Sequence, residues 1–426
     1  MKLARLAGLI FVLFISASQA FSYSVLTHEE IVDLLWASNI RPLILQRFPA
    51  LTEDEIKEAH AYAYGGSVIQ DLGYYPFGNK EFSDLVHYVR SGDFVSEMVK
   101  QSKDAKEFAF ALGALAHYIS DVDGHPAVNH AVSLRYPKLR ARFGDIVTYA
   151  DDKSAHLKTE FGFDVSQVAK HRYAPEDYHN FIGFEVSEGL LERVFPAIYG
   201  MDLKDVLPHE DLAVGTYRWA ISQLIPHMTK VALQIHGKEM VDETPNFQKQ
   251  KFLYRLRRAD YEKSWGKKYQ KPGFGTRFLA AILRLVPKVG PFRGLDFNEP
   301  TKQTEDLYIA SINKSFEDCR ALLVKDKTAA PELPDRDLDT GAQTRRTEYT
   351  LADNTYAHLV TQLADKKFGQ TSPELRGNIL GFYANATAPQ KTKKDELKWE
   401  KVSAALEQLK AVQAEPTAAS NASPSE

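Results

Sequence analysis

The chain has 426 residues, 44% of them hydrophobic, and a formal net charge of −3. That much apolar material supports a sizeable core, in two domains or in one domain with a large extension. The near-balanced charge gives no electrostatic case for a nucleic-acid or anionic-membrane partner.

Residues 1–20 read as a secretory signal peptide. Lys2 and Arg5 form a basic start, "LAGLIFVLFIS" a short apolar run, and Ser18 and Ala20 the small residues around a cleavage point. Cleavage after Ala20 would leave Phe21 as the mature N-terminus and place the protein outside the cell or in a periplasm. The run is too short for a comfortable membrane span, and no later segment has about 18 uncharged apolar residues.

From residue 21 onward the helix signals are strong. Thr27 with Glu30, and Thr52 with Glu55, read as capping boxes. The second helix is expected to stop at Gly65 and Gly66. "AKEFAFALGALAHYISD" places Phe108, Leu112, Leu115 and Ile119 at helical spacing. "DDKSAHLKTEFG" predicts a short helix with aspartates at its start and Gly162 past its end. "DYHNFIGFEVSEGLLERVF" and "TYRWAISQLIPHMTKVALQIH" predict amphipathic or buried helices. No run of short alternating strands is found, so the expected fold class is all-α.

The composition changes near residue 238. The segment 275–295, "GTRFLAAILRLVPKVGPFRGL", is apolar and carries Arg277, Arg284, Lys288 and Arg293. It suits a helix broken at Pro287 and packed on the main domain, with a membrane-surface role as the alternative. Residues 326–350 read as a loop. The expected organisation is a signal peptide (1–20), a main helical domain (21–238), a helical C-terminal extension (239–390) and a low-complexity tail (391–426). The single cysteine, Cys319, excludes a disulfide within the chain and reads as a small buried hydrophobe. Stability then has to come from a large core or from bound metal.

The stretch "LAHYISDVDGHPAVNH", 115–130, places His117, Asp121 and His125 at i, i+4 and i+8. On a helix His117 and Asp121 lie about 6 Å apart along the axis, and His117 and His125 about 12 Å. Zinc–nitrogen bonds are about 2 Å long, so one ion cannot use both histidines. The spacing suits a row of metals with Asp121 bridging two of them. Gly124 and Pro126 are expected to end or bend the helix and swing His125 towards a different ion. The plainer alternative is a solvated polar face, but the preceding "FAFALGALAHYI" is apolar nearly all round, and buried His and Asp need partners.

Other candidates surround this helix. His156 and Glu160 lie at i, i+4 and could complete a site with His125, or be a surface pair. Asp71 stands alone in an apolar stretch. His87 sits between apolar neighbours, as an ordinary core histidine would, and His28 occupies the first turn of the first helix. His60 suits a structural role, or a donor behind a metal ligand.

The order of these residues resembles the zinc-dependent phospholipase C family, which also includes the N-terminal domain of glycosylphosphatidylinositol-specific phospholipase D and is related in fold to fungal zinc nucleases. Over residues 21–235 the resemblance implies an all-α domain holding two to three zinc ions. Asp71, His87, His117 and Asp121 would hold the first. His125, His156 and Glu160 would hold the second. The Phe21 terminus, His28 and the shared Asp121 would hold the third. Bacterial members place a histidine six residues after the bridging aspartate; here residue 127 is Ala, His125 lies four after, and His130 ranks second as a ligand. Phe21 stands where Trp is common.

The resemblance further implies phosphodiester hydrolysis by a zinc-activated water, with Asp71 as general base as well as ligand. A phospholipid is the expected substrate, with peripheral membrane contact and no stable nucleic-acid partner. The rivals are a single-strand nuclease using "YAYGG" and "GYYPFG" as a stacking platform, and a metal-stabilised helical binding protein without turnover.

Overall fold

The computed structural model describes residues 25–233 except 171, 175, 227 and 231, together with 297–325, 331–384 and 393–412. The signal peptide, Phe21, the basic apolar segment 275–295 and the end of the tail lie outside the described residues. Within the described residues the fold is all-α, as expected; an isolated bridge, Arg336 to Gln343, is the β feature found there.

The helices are α1 (Val25–Leu35), α2 (Arg41–Arg47), α3 (Glu53–Ser67), α4 (Lys80–Tyr88), α5 (Ser91–Gln101), α6 (Ala105–Arg135), α7 (Pro137–Phe143), α8 (Lys153–Ala169), α9 (Glu176–Ile182), α10 (Glu188–Tyr199), α11 (Leu203–Val206) and α12 (Glu210–Trp219). They are followed by α13 (Lys302–Lys325), α14 (Thr350–Asp365), α15 (Pro373–Phe382) and α16 (Lys393–Ala411). A 3-10 turn, Ile69–Tyr74, links α3 to α4.

Helix α6 is the axis of the molecule. Phe110, Ala111, Ala114, Leu115 and Tyr118 are buried on all its faces, as expected for a helix with an apolar circumference. Helix α3 lies against it at backbone range. A Cβ on Gly66 would stand 1.9 Å from the Phe110 carbonyl oxygen, and one on Gly113 would stand 2.0 Å from that of Ala63. The glycines Gly65 and Gly66 therefore do not stop α3, which runs on to Ser67; they let the two helices touch.

Three other local expectations are corrected. Thr27 lies inside α1 rather than capping it, because its hydroxyl has a buried partner: it donates to Asp164 Oδ1 (2.7 Å). Gly162 lies inside α8, where the ring of Phe297 packs against it, and the helix continues to Ala169. Neither Gly124 nor Pro126 ends α6, which is continuous over 31 residues. Pro126 lacks the N–H that would bond the Val122 carbonyl. Gly341 (φ +69) closes over that carbonyl, at a place where a Cβ would stand 2.3 Å from the oxygen. The Thr52–Glu55 capping box is formed.

The C-terminal helices pack on the same core. Helix α13 runs along α6 and α1, and α14 rests on α4. Cys319 is buried in α13. Within 391–426, α16 buries Val402, Ala405, Leu406 and Leu409.

Candidate metal centre

Five elements bring the eight described candidates together. Helix α1 carries His28, the 3-10 turn Asp71, α4 His87, α6 His117, Asp121 and His125, and α8 His156 and Glu160. None is more than 2% exposed. They form three groups: His28, His117 and Asp121; Asp71, His87 and His117; and His125, His156 and Glu160. Within each group one ligand atom per residue lies within 4.8 Å of the others.

The spacings are those of atoms arranged around ions. His28 Nε2 to Asp121 Oδ1 is 3.4 Å, His87 Nε2 to Asp71 Oδ1 3.4 Å, and His87 Nε2 to Asp121 Oδ2 3.5 Å. His125 Nε2 lies 3.4 Å and His156 Nε2 2.9 Å from Glu160 Oε1. Donor atoms on a tetrahedron with bonds of about 2 Å stand about 3.3 Å apart. Asp121 reaches all three groups, since its Oδ1 is also 3.8 Å from His125 Nε2.

The hydrogen bonding sorts the two nitrogens of each ring. His87 Nδ1 lies 2.8 Å from the Ser83 carbonyl oxygen, His117 Nδ1 2.9 Å from that of Ser67, and His125 Nδ1 2.7 Å from that of Leu338. A carbonyl accepts only, so each of these nitrogens carries a proton and Nε2 is the ring atom turned towards the carboxylates. The Nε2 atoms of His87 and His117 and all four carboxylate oxygens of Asp121 and Glu160 are buried without a hydrogen-bond partner. Buried carboxylates and imidazoles crowded together without hydrogen bonds are costly unless a cation lies among them. The donor set of imidazole nitrogen and carboxylate oxygen suits zinc.

Protonation follows the same geometry. Burial, with His117 beside it, pushes the His28 imidazole down to about 3, so it stays neutral. Burial alone would raise the Asp121 carboxyl, but His117 and His125 hold it well below the usual range. Asp71 is likewise lowered, with His87 overcoming burial.

His125 rather than His130 joins the third group; the half-buried His130 stands outside all three. Phe21 lies outside the described residues. His60 belongs to a separate network, 3.2 Å from Asp33 Oδ1 and stacked on Trp36. Of the aromatics expected in a stacking platform, Tyr64, Tyr74 and Tyr75 are buried, with Tyr75 packed on Tyr217, whereas Tyr62 is half-buried and Phe77 exposed. The carbonyl anchors were missed from the sequence, since any residue type carries one. Asp339, 3.8 Å from His125 Nδ1, was missed because it lies in an expected loop far along the chain.

Neither the curated proteins nor the solved structures give a match to the chain. A family model described as zinc dependent phospholipase C matches residues 27–206, a span that contains all eight buried candidates. Residues 27–206 are thus similar to the zinc-dependent phospholipase C family, a family of phosphodiester hydrolases.

Proposed function

We propose that the protein is a secreted or periplasmic hydrolase of phospholipid phosphodiester bonds, built on a polynuclear zinc centre held by His28, Asp71, His87, His117, Asp121, His125, His156 and Glu160. The observation that carries this reading is the sharing of one carboxylate, Asp121, among three buried groups. Zinc held by these residues would supply positive charge for the non-bridging phosphate oxygens and would lower the pKa of water for attack on phosphorus.

The chain's own residues supply orientation and proton handling. The Ser67, Ser83 and Leu338 carbonyls fix three imidazoles with Nε2 inward. Asp71, whose carboxyl His87 holds low against burial, is the candidate to accept a proton from the attacking water. Outside the histidines stand two tyrosines, Tyr74 at 6.0 Å from the His87 ring and Tyr149 at 5.6 Å from that of His156. The ammonium groups of Lys80 and Lys153 lie over these rings, at 5.9 and 5.2 Å. Lys80 is paired with Asp84, so Lys153 is the cation there that favours the approach of a phosphodiester.

The test is a panel assay on the mature protein with and without a chelator. Phospholipid vesicles and a chromogenic phosphocholine ester are compared with single-stranded DNA. Chelator-sensitive release of the phosphorylated head group is the expected result. Hydrolysis of DNA alone would instead favour a nuclease, and zinc binding without any turnover a binding protein.

A further inference from the structure

We propose that the C-terminal segment 331–349, which lies beyond the family match, is a working part of the metal centre: the Leu338 carbonyl and the Asp339 carboxylate position the His125 ring for the ion at the His125–His156–Glu160 group. The inference rests on the zinc-centre reading above.

The contact is direct and buried. His125 Nδ1 lies 2.7 Å from Leu338 O, across 213 positions of sequence. Leu338 also donates its N–H to the His87 carbonyl oxygen (3.2 Å). One residue thus touches the ring of a residue in the third group and the backbone of a residue in another. Asp339 stands behind it, with Oδ1 3.8 Å from His125 Nδ1.

Asp339 is itself held from three sides. Its Oδ2 accepts from the Tyr88 hydroxyl (2.7 Å) and the Tyr349 hydroxyl (2.5 Å), and its carbonyl accepts from Asn129 Nδ2 (2.8 Å). Those donors leave Oδ1 as the oxygen that faces the imidazole. The loop around it is fixed at both ends. Ser91 Oγ donates to the Arg336 carbonyl (2.6 Å), and Gly341 seats against α6 at Val122. A loop that merely covered the helix would not need a buried carboxylate clasped by two phenols next to a histidine. A carbonyl and a carboxylate behind Nδ1 fix the tautomer, orient the ring and strengthen Nε2 as a ligand, and loss of such partners typically weakens metal binding 10–100-fold.

The test compares the full mature chain with Asp339→Asn, Asp339→Ala, Tyr349→Phe, Glu160→Gln and the double variant Asp339→Asn/Glu160→Gln. Zinc equivalents are measured against a graded series of competing chelators, and cobalt-substituted samples give the ligand-field spectrum. Asp339→Asn is expected to weaken one equivalent roughly 10–100-fold and to alter one cobalt band set. That equivalent should be the one lost in Glu160→Gln, so the double variant loses no more. The melting temperature of metal-free Asp339→Asn should stay near that of the parent, which separates positioning from a general loss of structure. Wild-type affinity for every equivalent in Asp339→Asn overturns the proposal, as does a lost equivalent additional to that lost in Glu160→Gln. Should the Asp339 variants fail to fold, Tyr349→Phe keeps the Tyr88 hydroxyl on Asp339 and is expected to weaken the same equivalent by a smaller factor; unchanged affinity there overturns the proposal. A parent protein that binds no zinc refutes the metal-centre reading itself, a result distinct from either.

Discussion

His117 Nε2 and Asp121 Oδ2, one turn apart on α6, approach to 3.0 Å, yet neither atom has a hydrogen-bond partner. His117 spends its proton on Nδ1, which faces the Ser67 carbonyl at 2.9 Å. Nε2 is thus the nitrogen turned to the carboxylate in a buried site. Removing the cation between them should therefore destabilise the whole protein. Each site saturated at a thousandfold excess over its Kd contributes about 4 kcal/mol, so a strong chelator should lower the melting temperature by roughly 10 °C or more. Calorimetry with and without chelator, followed by zinc readdition, checks this; an unchanged melting curve would remove the metal from the account.

Asp121 and Asp71 should separate in their effects. Asp121→Asn removes the oxygen charge shared by three groups and is expected to lose at least one zinc equivalent along with all turnover. Asp71→Asn keeps the shared carboxylate. It should retain most of the metal while turnover falls about 10²–10⁴-fold, the usual worth of a general base. Elemental analysis beside steady-state kinetics distinguishes the two, and near-normal turnover in Asp71→Asn would end its assignment as base.

Gly113→Ala should act on the centre without touching a ligand. The added methyl meets the Ala63 carbonyl oxygen at 2.0 Å and the Ser67 nitrogen at 2.8 Å. Helix α3 must move, and with it the Ser67 carbonyl that fixes His117. A cost of about 3 kcal/mol is expected from overpacking of this kind, read by denaturant unfolding, together with weaker zinc retention.

Asp337, which is not itself a candidate ligand but accepts from the Asp339 N–H (3.0 Å), gives a pH signature. Burial, with Asp339 nearby, pushes its carboxyl up to about 8, while Oδ2 has no hydrogen-bond partner. An acid whose folded value is raised holds its proton more tightly in the native state. Its contribution is therefore full below the unfolded value, about 4, and is lost as pH rises towards 8. Asp337→Asn, neutral throughout, should be more stable than the parent at pH 8 and close to it at pH 4. Melting temperatures across that range test the sign.

The convergence of the eight buried histidines and carboxylates was readable because metal chemistry restricts residue type: only a few side chains can serve, and their order along the chain was informative. The helical class followed from the apolar spacing around Phe108–Ile119. What escaped was whatever depended on distant partners. Thr27 looked like a cap because its hydroxyl could have served locally, but Asp164 takes it from 137 positions away. Gly65, Gly66 and Gly162 looked like stops because glycine ends helices in isolation, whereas here it answers a neighbour's proximity. Pro126 looked like a break because its missing N–H was visible, and the Gly341 turn that covers the freed carbonyl was not.

Because α6 passes Pro126 unbroken, His117, Asp121 and His125 are graduations on a single rod. The spacing of any bound ions is then a matter of helical pitch rather than of loop adjustment. A substrate must conform to that gauge, since the gauge cannot stretch to suit the substrate.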